Sequence, residues 1–119
     1  MKYTNNELLK YDKMLKDVSE GDFNMPVKVA YAIIKNRQAI ENAIKPYNEA
    51  YDSIIQKYGK DGVISKNEDP VGFNNATNDI NVLLNEMSDD ISLRTVSIDA
   101  FGDSEVPMKV MNDISFMID

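Results

Sequence analysis

Residues 26–58, PVKVAYAIIKNRQAIENAIKPYNEAYDSIIQKY, decide the fold. In the second half of this stretch the large side chains recur at alternating spacings of three and four: Arg37, Ile40, Ile44, Tyr47, Tyr51, Ile54 and Tyr58. That spacing lays one stripe along one face of a helix, and such a stripe needs a packing partner. Pro26 suits the first turn, where no amide proton is required, and Gly59 suits the end. Pro46 is the anomaly, because an interior proline removes one hydrogen bond and crowds the carbonyl four residues back. With Arg37 and Ile44 in the core, Pro46 falls on the outer face. The expectation is one helix of roughly 50 Å, bent convex toward water, with a break near Lys45 as the alternative.

Working outward, Thr4 and Glu7 match a capping box that opens a helix from about Asn5 to Ser19. Leu8, Tyr11, Leu15 and Val18 form its apolar face, and Gly21 stops it. On the other side, Asp69 caps and Pro70 starts a third helix, with Phe73, Ala76, Ile80, Leu83, Leu84 and Met87 facing inward. Short connections predict that both flanking helices lie antiparallel to the long one, each on one half of it. Residues 91–99 read as a strand. Apolar alternation holds at Ile91 and Leu93, slips, and resumes at Val96 and Ile98, as at a bulge. Val63–Ser65 would pair with part of that strand, and the remainder would need an edge from a second copy or a partner. Ser104 is placed to cap a last helix running to the C-terminus. The expected fold is one α+β domain over residues 1–119, predominantly helical. A long Pro-kinked helix packs against two antiparallel helices, with a small two-stranded β element and a C-terminal helix.

Composition excludes several chemistries. There is no cysteine and no histidine among the 119 residues, so disulfides, thiolate chemistry and the commonest general base are absent. No apolar run is long enough to span a membrane, and the opening residues lack an apolar signal core, so cytosolic residence is expected. Lys57–Glu68 resembles the second half of a calcium-binding loop, with Asp61, Gly62, Ile64, Ser65 and Glu68 in matching places. The first and third ligand positions hold Lys57 and Gly59, so a structural turn is the better reading. The neighbours Asp89 and Asp90 lack a partner for acid–base work, and no phosphate loop or nucleophile elbow occurs. The tyrosines read as core rings rather than base-stacking platforms. No catalytic residue, metal or cofactor is expected, and the chain reads as non-enzymatic.

Charge is unevenly placed. Residues 1–60 carry ten Lys/Arg and eight Asp/Glu, whereas residues 61–119 carry three and twelve. Direct nucleic-acid binding and membrane binding are therefore not expected, and an acidic half could oppose a basic protein. The last helix adds an apolar element. Val106, Val110, Met111, Ile114, Met117 and Ile118 share one face, while Met108 and Phe116 fall outside it. Adaptable thioethers with an off-face aromatic suit protein recognition, so the partner-binding set is Met108, Phe116, Asp89, Asp90, Asp99, Asp103 and Glu105.

The segments Thr4-Asn5-Asn6-Glu7-Leu8, Met25-Pro26-Val27-Lys28, Ile44-Lys45-Pro46-Tyr47 with Tyr58-Gly59, and Ile114-Ser115-Phe116-Met117-Ile118 together span most of the chain. In this pattern it resembles small proteins of unknown function encoded by phages and prophages of Gram-positive bacteria. The resemblance implies a phage context and brings no catalytic residues or cofactors. It suggests either interference with a host protein, such as a defence factor, or a part in virion assembly, and so residence in the host cytoplasm or in a virion. For the assembly role, the strand edge at residues 91–99 would join copies into homo-oligomers.

Overall fold

The computed structural model describes residues 1–21, 24–59, 63–102 and 105–119. Four α-helices follow one another among them: α1 (Asn5–Glu20), α2 (Val27–Tyr58), α3 (Pro70–Asn85) and α4 (Met108–Asp113). The capping box forms as expected. Thr4 Oγ1 accepts from the Glu7 amide and the Glu7 carboxylate accepts from the Thr4 amide, both at 3.1 Å. At the start of α3 the Asp69 carboxylate accepts from the Gly72 amide at 2.9 Å, with Pro70 in the first turn. α2 continues through Pro46 without a break, and Pro46 is exposed to water.

α1 and α3 both run antiparallel to α2. Val18 and Ser19 share a groove with Ala30 and Ile33, while Asn5 shares another with Ala43, Pro46 and Leu83. The far end of α2, at Tyr58, lies beside Glu68 and Asp69, which lead into α3. The core occupies one end of the molecule. Leu8 and Leu15 of α1 meet Val29, Ile33 and Ile40 of α2, and Phe101, Val110, Ile114 and Met117 close it from the C-terminal segment.

The α2 stripe is sealed over only part of its length. Ile40, Ile44 and Tyr47 are buried, Ile54 and Tyr58 are half-buried, and Tyr51 is 37% exposed. The expected inner face of α3 behaves similarly. Only Gly72 and Ala76 are buried, Phe73, Ile80, Leu83 and Leu84 are half-buried, and Met87 lies largely in water. The cause is geometric: two helices lying side by side cover one another on a single flank. The extents of 55 × 29 × 17 Å fit this layout. So does the radius of gyration of 17.7 Å, against about 13.5 Å for a compact chain of this length.

The expected two-stranded β element is not formed; among the described residues there is no sheet. The chain after α3 is extended, but it satisfies its backbone at both termini instead of at Val63–Ser65. Thr4 and Met87 make an antiparallel bridge, and Val96 and Ile118 a parallel one. The Ser88 amide donates to the Tyr3 carbonyl at 2.7 Å, and the Ile91 amide to Met1 at 3.1 Å. Further on, the Val96 amide donates to Met117 and the Asp119 amide to Val96, both at 2.8 Å. Ile98–Phe101 forms a 3-10 turn opened by the Ser97 hydroxyl, which accepts from the Asp99 amide. Such local side-chain bonding competes with strand pairing.

The last helix is also shorter than expected. It starts after Pro107 and ends at Asp113, followed by a 3-10 turn over Ser115–Met117. Pairing of the final residues with Val96 draws them out of the helix. The expected cap, Ser104, lies outside the described residues.

Candidate interaction surface

Asn36 fixes the path of the extended segment. It sits on α2, only 1% exposed. Its amide oxygen accepts from the Arg94 amide at 2.6 Å, and its nitrogen donates to the Arg94 carbonyl at 3.0 Å and lies 3.5 Å from Met117 Sδ. A side-chain amide thus does for Arg94 what a neighbouring strand would do. Because a buried amide left unpaired is costly, this two-point grip sets the register of residues 86–97 against α2.

The acidic residues read from the sequence ride on this segment and beyond it. Asp89, Asp90, Asp99 and Glu105 are all exposed, and Asp103 lies outside the described residues. Asp90 pairs with the N-terminal amine at 3.1 Å, and both partners remain in water. Asp89 shares a groove with Pro46 and Tyr47, whereas Ser97 and Ala100, which bracket Asp99, share one with Lys28 and Tyr31. The two levels on α2 are about 25 Å apart at the helical rise. Asp89 and Asp99 therefore stand apart along α2, not in a single cluster.

Met108 and Phe116 are not brought together as an exposed pair. Met108, at the first turn of α4, is 80% exposed. Phe116 is half-buried, its ring stacked on Tyr11 with centroids 4.2 Å apart and planes 12° from parallel. Tyr11 in turn meets Tyr3 edge-on at 5.9 Å. Phe116 thus helps tie the C-terminus to α1 and the N-terminus, so the apolar contribution to this surface falls to Met108. Of the other late methionines, Met117 is buried and Met111 half-buried.

Burial pushes the Tyr11 phenol above its ordinary value of 10.0, helped by the nearby Glu7 and Tyr3. Burial, then Tyr51, does the same for Tyr47. Neither group is poised to exchange protons near neutrality.

Of the calcium-like loop, Asp61 and Gly62 lie outside the described residues, and Lys66–Glu68 form a turn closed by the Ser65 hydroxyl accepting from the Glu68 amide at 3.3 Å. Among the described residues no group of three or more His, Cys, Asp or Glu side chains could hold a metal ion. Nor is any described helix long and apolar enough to cross a membrane. Asn36 escaped the sequence reading because a lone asparagine on an apolar face carries no motif; only its buried position between Ile33 and Ile40 hints at a role. Comparison with protein-family models, with curated proteins and with solved structures finds no match to this chain.

Proposed function

We propose that this is a non-enzymatic protein that binds a basic partner protein through Asp89, Asp90, Asp99 and Glu105, with Met108 as an exposed apolar contact. One observation carries the reading. In the half of the chain with twelve acids and three bases, Asp89, Asp90, Asp99 and Glu105 are exposed, and the grooves at Asp89 and beside Asp99 lie at two levels of α2. Residues held extended against a fixed scaffold lose little freedom on docking, and exposed charges of one sign steer an oppositely charged partner. The resemblance to phage and prophage proteins supports a host protein as that partner, inhibited or modulated by occlusion, with a defence factor as one case.

The test uses the whole chain as bait in host lysate. A variant with Asp89, Asp90 and Asp99 changed to Asn and Glu105 to Gln keeps its fold, since the Asp99 and Arg94 bonds to Ser97 and Asn36 run through the main chain. It is expected to lose the host protein that the unaltered chain retains. Equal recovery by both would contradict the reading.

A second reading, a structural or assembly role in the phage particle, draws support from the half-exposed seam of α2 and α3 at Tyr51, Ile54, Phe73 and Ile80. The strand edge at 91–99 supports it less, because the backbone there is bonded within the chain at Ile91, Arg94 and Val96. Sedimentation equilibrium separates the two readings: a monomer at every concentration, absent from particles, removes the second.

A further inference from the structure

Against these acidic residues stands one cationic cleft of about 500 Å³, between the start of α2 and residues 94–100. Lys28 and Arg94 stand on its walls with Tyr31. Lys35, four residues beyond Tyr31 on the same helical face, adds a third cation. The Arg94 guanidinium lies 5.0 Å from the centre of the Tyr31 ring, and Lys35 Nζ 5.8 Å. Both are within the range at which a ring face attracts a cation. The chain has twenty acids, yet the ion pairs among described residues engage none of these three cations: they join the N-terminal amine to Asp90, Lys16 to Asp12, Arg37 to Glu41 and Lys109 to Asp113. Three neighbouring cations repel one another, and an anion among them relieves that repulsion.

The site is also built rigidly. Asn36 grips the Arg94 main chain from beneath, so the guanidinium is carried on a fixed backbone and its planar fork is free to face a phosphate. The Thr95 hydroxyl, on the cleft wall, donates to the Asp119 carboxylate at 3.1 Å. That carboxylate, and Asp99 between the lining residues Ser97 and Ala100, oppose an anion and so limit affinity.

We propose that this cleft binds an organic phosphate of nucleotide size, its phosphates on Lys28, Lys35 and Arg94 and its ring against Tyr31. The volume decides the class. A bare phosphate would leave most of the cleft to water, whereas 300–1,000 Å³ is about the usual range for sites that enclose a small organic ligand. A long nucleic acid is disfavoured by the excess of seven negative charges on the whole chain.

Calorimetric titration of the full chain with ATP and with tripolyphosphate tests this. ATP is expected to bind. Arg94→Ala and Lys28→Ala should each weaken it by about tenfold, and the Asn36 bonds to the Arg94 main chain keep the first variant folded. Tyr31→Leu should weaken ATP more than tripolyphosphate, while Asp119→Asn should tighten both. Absence of heat with ATP up to about 1 mM would overturn the proposal. Equal affinity for both ligands in the unaltered chain, or an affinity for single-stranded DNA more than about tenfold above that for ATP, would overturn it as well.

Discussion

Asn36 is the residue on which the non-helical half of the molecule depends. Replacing it by Ala leaves the Arg94 amide and carbonyl without their partner and opens a small void beside Met117. The expected loss is about 2–3 kcal/mol by urea denaturation, with faster hydrogen exchange at the Arg94 amide. Asn36→Asp should cost more, since it keeps the acceptor, loses the donor and buries a charge. Tyr11 and Tyr47 give a pH signature. Their folded phenols hold protons above the ordinary value of 10.0, so the unfolded chain ionises first as pH rises. Above about pH 10 the unfolded state then binds fewer protons, and stability falls until the folded phenols ionise too. Tyr11→Phe with Tyr47→Phe should remove that alkaline loss while changing the urea midpoint little at pH 7. A midpoint that declines equally in both proteins between those pH values would show that burial of the phenols is not its source.

At the scale of elements, α1, α2 and α3 were legible because their signals are local. Thr4 with Glu7, Asp69 with Pro70, and the closing Gly21 and Gly59 each act within one turn. Gly59 has a further duty. A Cβ there would lie 2.6 Å from the Ile55 carbonyl oxygen and 2.9 Å from that of Val63, and neither backbone group can swing aside. Gly59→Ala should therefore lower stability, and it should do so more than Gly21→Ala. Pro46 makes the opposite case. It is exposed within a continuous helix, so Pro46→Ala restores a hydrogen bond and should raise stability by about 1–3 kcal/mol in thermal melts. What the pattern could not reveal was the fate of residues 86–119. The alternation at Ile91, Leu93 and Val96 does mark extended chain. Its partners, however, are Met1–Thr4 and Met117–Asp119 at the two ends of the sequence, and a period of two names no partner. The same pairing shortened the last helix and turned Phe116 inward. Among the site residues, the exposure of Asp89, Asp90, Asp99, Glu105 and Met108 was legible from polarity and wheel position, whereas the cleft at Lys28, Tyr31 and Arg94 needed the fold to bring two segments together.

The whole molecule is a long spine, closed into a core at one end and thinned to two helices at the other. Leu8→Ala or Ile40→Ala, at sites fully shut from water, should cost about 2–5 kcal/mol, against clearly less for Ile54→Ala on the open seam. Both the acidic surface and the cationic cleft take their positions from α2, one along its flank and the other at its start. The distance between the ends of α2 is therefore the quantity to measure. The chain has no native cysteine, so spin labels can be placed on Lys28→Cys and Lys57→Cys without interference. Both positions are exposed and lie on nearly one face. Pulsed electron–electron resonance on the doubly labelled protein should give a single narrow distribution centred at about 40–44 Å, the rise of an unbroken helix between them. A distribution centred below about 30 Å would mean that the helix breaks at Pro46 and folds back, which contradicts the spine and with it the placement of both surfaces.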